Sequence, residues 1–522
     1  VLSMTITDTD ARNLAPAQPT VAETQAIAGG ATAVRRPAAS PGIPVPLGAS
    51  PGMWAPVRRS GISLADQLAN HLAGQIHNHG LRPGMRLPPV RTMAQEAAVS
   101  RFTVVQAYDR LVAMGLVQSR RGSGFYVCPP VRLASAPDDA GAPGLAPDAA
   151  FDTAFLLRSM FQPGMSGPDA AGAGLLPPAW LDHDMVCAAV RSVGRTLGRG
   201  ISGYGLPQGY RPLRQQVASM LQAQDIPAHP DNNLMTVAGV THGLDLIARC
   251  VVRPGDTVLV EDPGWFMIFG RLTALGANVI GVPRRPDGPD VEALARLAQA
   301  HQPRLFIVNS AVHNPTGYTL APGVAYEILR LAERHDFLIA EDDTYADFHP
   351  GAPVRLATLD RLNRVMLVGG YSKTLAASLR VGYVAGREAL IRQLTDFKLL
   401  SALTTPEMNE QVVCRVLAEG QYRRHVARLR ARVDQARSLC LKRIAELGWQ
   451  VRQEPHAGMF VWADCGVDTE ELARRAASQG VLLAPGALFS PRQGPSSYMR
   501  VAVSMVDSPR CWEVLGSLSA QA

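Results

Sequence analysis

The chain has 522 residues, with 51 Lys and Arg against 44 Asp and Glu and a net charge of +7. That length exceeds what one hydrophobic core supports and predicts about three to four domain-sized units. No apolar run approaches the ~20 residues that cross a bilayer, and the first residues lack a signal-peptide pattern, so no membrane partner is expected. The seven cysteines are scattered without a C-x-x-C pair or metal-ligand spacing, which fits a reducing cytosol and predicts no metal site.

Residues 1 to about 57 are rich in Ala, Pro, Gly and Thr and have no apolar period, which predicts a disordered tail. A compact block, 58 to 128, follows. It holds nine arginines, no lysine and only three acids, so most of the chain's excess charge sits there. A charge concentrated in this way predicts a polyanion partner, whereas a diffuse excess would only aid solubility.

Within the block, "SLADQLANHLAGQIHNHG" (63–80) has apolar residues at helical spacing and a glycine stop. "VRTMAQEAA" reads as a second short helix. Ser100 is placed to cap a third, "RFTVVQAYDRLVAMG", which stops at Gly115. "LVQSR-RGSG-FYV" reads as two short strands around a Gly-rich turn. Two helices joined by a turn, then a basic hairpin, predict a winged helix-turn-helix. The start of the recognition helix then faces base edges while the wing grips phosphates. The run "RPGMRLPPVRTMAQEAAVSRFTVVQAYDRLVAMGLVQSRRGSGFYV" resembles the GntR family of bacterial regulators. The resemblance implies double-stranded operator DNA as partner. It implies DNA contacts from Arg91, Ser100, Arg101 and Thr103, and wing contacts from Arg120, Arg121, Gly122, Ser123 and Gly124. Phe102 and Val105 are apolar where some relatives carry polar base-reading residues.

"PPVRLASAPDDAGAPGLAPDAA" (129–150) has linker composition. From 151 to 522, helical patterns alternate with β-branched runs such as "LFIVN", "FLIAED" and "VMLVGG", which predicts an α/β body with a largely parallel sheet wrapped by helices.

This body contains all three lysines of the chain, 373, 398 and 442, amid abundant arginine. Lys373 lies in "GGYSKTLAASLRVGY", between Ser372 and Thr374. An ε-amine condenses with an aldehyde to a Schiff base; a guanidinium in practice does not. If Lys373 holds pyridoxal 5′-phosphate, other groups are required, and the sequence offers them. Gly239, Val240 and Thr241, at the start of a predicted helix, supply phosphate donors, with Arg380 and Ser372 adding charge and a hydroxyl. Asp342, at the end of "FLIAED", is suited to the pyridine nitrogen. Asn314 in "HNPTG" and Tyr345 supply donors to the ring oxygen, and Trp265 in "EDPGWF" supplies a stacking face. Taken singly, each fragment is also an ordinary turn, strand end or core residue; their joint order and spacing carry the assignment.

Residues 151–522 resemble a fold-type I aminotransferase, with a large domain at about 200–400 and a small domain at about 401–522. The resemblance implies that Arg500 in "YMRVAVSM" holds a substrate carboxylate. It also implies that Tyr204 in "YGLPQGYRPLR" reaches the cofactor phosphate of a partner subunit in a homodimer, and that "HAGMFVW" (456–462) opens the small domain. A GntR-type head on such a body resembles the MocR, or GabR-like, regulators. That implies a transcription factor whose effector is an amino acid, another amine or the cofactor itself. Thr344 stands where many members have a tyrosine, and "DDTY" and "HNPTG" sit nearer to catalytic aminotransferases. Two other readings therefore stay open: a working aminotransferase carrying a DNA-binding head, and a DNA-binding protein whose body only dimerises.

Overall fold

The computed structural model describes residues 63–77, 81–120, 122–128, 172, 174–196 and 202–519. The tail expected at 1–57, the linker expected at 129–150 and Arg121 lie outside the described residues. The chain divides into two compact units, Val1–Asp139 and Ala140–Ala522.

In the first unit, helices α1 (Leu64–His77), α2 (Val90–Glu96) and α3 (Arg101–Ala113) precede a hairpin of β1 (Val117–Arg120) and β2 (Gly124–Val127). In α3, Val104, Ala107, Tyr108 and Leu111 fall on one stripe and are wholly buried against Leu68 and Leu72 of α1. The Tyr108 hydroxyl donates to Pro88 O at 2.8 Å, so this large side chain enters the core without leaving a polar atom unpaired. The Ser100 side chain accepts from Thr103 N at 3.0 Å, which caps α3 as its sequence position predicts. Arg110 and Asp66 tie α3 to α1 at 2.9 Å.

The second unit is built on an eight-stranded sheet of order β3-β10-β9-β8-β7-β4-β5-β6. Its strands are β3 (Leu234–Val237), β4 (Thr257–Asp262), β5 (Asn278–Arg285), β6 (Gly288–Pro289), β7 (Leu305–Val308), β8 (Leu338–Asp342), β9 (Val365–Gly370) and β10 (Gly382–Ala385). β5, β4, β7, β8 and β9 run parallel, with helices between them; the near-continuous apolar sequences of β4, β7, β8 and β9 reflect burial on both faces, while the outer β5 is largely half-buried or exposed. β10 runs antiparallel to both neighbours. The chain between β9 and β10 is too short for the crossover that a parallel return requires. A second sheet, of order β11-β13-β12, joins β11 (Phe460–Asp464), β12 (Ala484–Pro485) and β13 (Tyr498–Ala502), all antiparallel. The 26-residue helix Gln421–Glu446 bridges the two sheets. Its first turns share a core with the large sheet through Tyr422 and Val426, and its later turns pack Val433, Cys440 and Ile444 with the small sheet.

Candidate functional site

The carboxyl ends of the parallel strands point to one end of the large sheet, the usual place for ligands in such folds. β8 ends on Asp342, β9 leads into the loop holding Lys373, and β7 leads to Asn309 and Asn314. β13, the central strand of the small sheet, brings in Arg500.

Lys373 Nζ donates to the carbonyl of Gly174 at 2.8 Å. Burial, then the charges of Arg500 and Arg380, pushes its pKa from 10.5 down to about 8, with Asp342 opposing. Its loop is fixed from behind. His425, itself buried, donates from Nε2 to Thr374 O at 2.6 Å, since a carbonyl only accepts. The Tyr422 hydroxyl donates to the Asp347 carboxylate and accepts from Thr374 Oγ1, 2.7 Å away. Both residues belong to the bridging helix.

The Asp342 carboxylate is almost fully buried and accepts from Thr344 N at 3.0 Å and from the Thr344 hydroxyl. Burial pushes its pKa up to about 6. Beneath it, Asn309 organises the floor. Its amide nitrogen donates to Asp342 O at 2.6 Å, its amide oxygen accepts from Asn314 N at 2.8 Å, and its backbone N–H rests on buried Glu261 at 2.7 Å. Asn314 Nδ2 stands 3.4 Å from the Tyr345 hydroxyl, so both expected ring-oxygen donors share one spot. Trp265 lines the same small cavity as Asn314 and Asp342.

At the end expected to hold the phosphate, Gly239 precedes the helix Val240–Val251 with φ +80°, a conformation that favours glycine. A Cβ there would lie 2.6 Å from Arg380 Nη2, so a side chain at this position would push that guanidinium aside. Arg380 donates to Ala238 O at 2.8 Å and to Ser372 Oγ at 3.3 Å, which groups Arg380, Ser372 and the helix start of Gly239, Val240 and Thr241. Tyr204 is 85% exposed and hydrogen-bonds to none of these groups of its own chain.

Arg500 is buried, with its guanidinium 4.4 Å from the centre of the Phe460 ring and 4.9 Å from that of Phe489. It donates to Asn314 Oδ1 at 3.1 Å and to Gly172 O at 2.7 Å, while its Nε has no partner. Burial lowers its pKa to about 10. A buried, unpaired donor beside two carbonyl contacts suits a carboxylate, which would accept from two nitrogens at once. Sequence reasoning did not foresee Thr344, Asn309, Tyr422, His425 or the carbonyls of Gly172 and Gly174 as parts of this site.

In the first unit, Arg91, Ser100, Arg101, Arg120 and Gly122 are exposed, while Thr103, Ser123 and Gly124 are half-buried. Phe102 is 70% exposed on α3, so the apolar residues expected near the bases lie on its outer face. Arg120 lies over the Tyr126 ring at 4.5 Å, and Tyr126 and Ser123 share a 2.7 Å hydrogen bond, which stiffens the wing.

These features define a fold-type I pyridoxal-phosphate body joined to a winged-helix head. The pattern for aminotransferases of class I and II matches residues 178–518, and that for bacterial regulatory proteins of the gntR family matches 64–127. The probable rhizopine catabolism regulatory protein MocR of Rhizobium meliloti is 30% identical over 447 residues, covering 82% of this chain and 87% of its own. The regulator TauR of Rhodobacter capsulatus is 30% identical over 463 residues, covering 85% and 93%. Among solved structures, Pyrococcus horikoshii kynurenine aminotransferase, in complex with PMP, superposes with a TM-score of 0.64 at 25% identity, covering 70% of this chain and 92% of that one. The chain belongs to the MocR-type family of GntR regulators with an aminotransferase class I and II body. Its cofactor is pyridoxal 5′-phosphate, and three features fit that group: the cradle of Gly239 and Arg380, the buried Asp342 carboxylate with no ion pair among the described residues, and the amine of Lys373.

Proposed function

We propose that the protein is a transcriptional regulator that carries pyridoxal 5′-phosphate on Lys373 and responds to an amino acid or related amine. When bound, the cofactor supplies an aldehyde that condenses with amines and a ring that acts as an electron sink. Lys373 is prepared for this role because its lowered pKa leaves an appreciable fraction of neutral amine near neutral pH. Asp342 holds a proton on the ring nitrogen by offering it a buried negative charge. Arg380, Ser372 and the N–H groups at the start of Val240–Val251 bind the phosphate, Trp265 covers one ring face, and Asn314 and Tyr345 orient the ring oxygen. Arg500 binds the carboxylate of the incoming amine.

One observation carries the regulatory reading. The two cations that meet the ligand, Lys373 and Arg500, both donate to backbone carbonyls of the same short segment, Gly174 O and Gly172 O. That segment follows the stretch proposed as the linker to the DNA-binding head. A ligand carboxylate on Arg500 competes with Gly172 O, while an amine that displaces Lys373 from the cofactor returns its donor to Gly174 O, so occupancy of the site changes how this segment is held. On this reading the regulator works as a cytoplasmic homodimer on double-stranded operator DNA, associated with the nucleoid when bound. Tyr204 then serves the partner's phosphate site, and Arg91, Ser100, Arg101, Thr103, Arg120, Arg121, Gly122, Ser123 and Gly124 form the DNA-facing set.

A second reading, a working aminotransferase, is favoured by the intact set of Lys373, Asp342 and Arg500. Titrating the cofactor-loaded protein with a panel of amines, while following absorbance, operator affinity and keto-acid formation together, separates the two. The regulatory reading expects one amine to shift the spectrum and operator affinity at the same concentrations, and Arg500→Ala to lose both responses while retaining the cofactor. Rapid turnover without any change on DNA would overturn it.

A further inference from the structure

The large sheet has a second pole, at the amino ends of its parallel strands, opposite the end that holds Lys373 and Asp342. A cavity of about 380 Å³ opens there. Arg253 precedes β4, Arg304 precedes β7, Arg364 precedes β9, and Arg387 follows the antiparallel β10; all four line the cavity. The only acid in the lining is Asp336. Leu390 contributes an apolar wall.

The arginines are held there by backbone bonds made for other reasons. Arg304 N donates to Thr257 O at 2.9 Å and Arg304 O accepts from Leu338 N at 3.1 Å, while Arg364 O accepts from Ile339 N at 3.1 Å. Arg387 O accepts from Leu390 N and Ile391 N at 3.0 and 3.1 Å, which fixes it at the start of the helix Glu388–Ala402. Arg364 reaches Asp336 at 2.8 Å, whereas the guanidinium groups of Arg253, Arg304 and Arg387 form no ion pair among the described residues; the Asp256 carboxylate meets only the backbone N–H of Arg253. Asp336 is held below the usual carboxylate range first by Arg364, with smaller effects of Arg304 and Arg387 from the same lining.

Four arginines and one exposed carboxylate in the lining leave the cavity wall with an excess of positive charge. A guanidinium fork pairs with phosphate oxygens through two parallel hydrogen bonds, and a recess of this volume is in the range of small-molecule sites. We propose that this cavity is a binding site for a small phosphorylated compound carrying two or more negative charges, separate from the cofactor site and at the opposite pole of the same sheet. The recess and the apolar wall of Leu390 favour a compact ligand that inserts, over a nucleic-acid backbone that lies across a surface.

The test uses the full-length protein saturated with pyridoxal 5′-phosphate, so that the cofactor's own phosphate cradle is filled, and inorganic pyrophosphate as probe. Calorimetric titration of the wild type should give saturable binding that weakens with salt. The double variant Arg304→Ala, Arg387→Ala should bind at least about tenfold more weakly with an unchanged absorbance spectrum and melting curve. Citrate at matched charge separates phosphate recognition from general anion attraction, and should bind more weakly than pyrophosphate. Equal titrations of wild type and double variant, equal binding of citrate, or no saturation by ~10 mM probe would each overturn the proposal. So would a double variant that loses operator affinity while the wild type fails to bind pyrophosphate, because the arginines would then serve DNA. The titration repeated on cofactor-free protein keeps the inference independent of the cofactor assignment.

Discussion

Replacing Lys373 by methionine removes the reactive amine while keeping a chain of similar length, and it should stabilise the cofactor-free protein. The fall in pKa from 10.5 to about 8 corresponds to about 3 kcal/mol of unfavourable burial at neutral pH. Loss of the 2.8 Å hydrogen bond to Gly174 O takes back about 1 kcal/mol, leaving a net gain of about 2 kcal/mol. The sign with pH follows from the direction of the shift. Because the folded state holds this proton less tightly than the unfolded state, the penalty is complete below about pH 8 and fades as pH rises toward 10.5. Thermal melts of both cofactor-free proteins between pH 7 and 10.5 should therefore show Lys373→Met a few degrees higher at pH 7, with the gap closing at high pH. Adding cofactor should reverse the order, since only the wild type is stabilised by a covalent ligand. A variant that melts below the wild type at pH 7 without cofactor, or a gap that ignores pH, would refute the argument that burial of the amine sets its reactivity.

Cofactor affinity should fall as pH drops below about 6, where Asp342 takes up a proton and stops pairing with the ring nitrogen; Asp342→Asn should bind weakly throughout and lose this component, as read by absorbance titration. In anisotropy assays on operator DNA, Arg101→Ala should lose about 1–3 kcal/mol and relax sequence preference, as a lost base contact would. Arg120→Ala should weaken all sequences alike and flatten the salt dependence. The body alone, from residue 151, should sediment as a cofactor-loaded dimer, and Tyr204→Ala should weaken its hold on the cofactor.

What the sequence makes legible is what local pattern determines. The buried stripe of α3 is readable because helical period alone brings Val104, Ala107, Tyr108 and Leu111 to one face. Asp342 is readable because a β-branched run ends on it, and Gly239 because a glycine before a helix marks a tight approach. The antiparallel β10 is less so: a four-residue strand carries little signal, and its direction follows from the length of the loop before it. The supports of the site were not legible at all. His425 and Tyr422 reach Thr374 from a helix some fifty residues on, and Gly172 meets Arg500 across most of the body. In a sequence these are an unremarkable histidine and tyrosine on an amphipathic helix and two glycines in a small-residue run. Backbone carbonyls acting as placeholders leave no side-chain signature.

Those supports bear on how a small ligand could act beyond its own pocket. Lys373 and Arg500 sit on different sheets, and the bridging helix is fastened to both. Near its start Tyr422 and His425 hold the loop of Lys373, while further along Arg437 donates to His456 O at 2.9 Å, just before the small sheet begins. Interfaces of this density have a few discrete packings and do not deform continuously. On the proposed function, an amine held by the cofactor at one end and by Arg500 at the other would link the two sheets directly, in parallel with the helix that already links them. Its binding free energy therefore favours whichever packing satisfies both ends. That preference is strengthened because Arg500 Nε, buried and unpaired in the present arrangement, gains a partner only when a carboxylate arrives. Since the carbonyl of Gly172 occupies Arg500, a ligand carboxylate would compete with this segment for that guanidinium, while Lys373, once displaced from the cofactor, would be free to donate to Gly174 O. The proposed regulator would thus need no separate relay: the groups proposed to recognise the amine are the ones that hold Gly172 and Gly174.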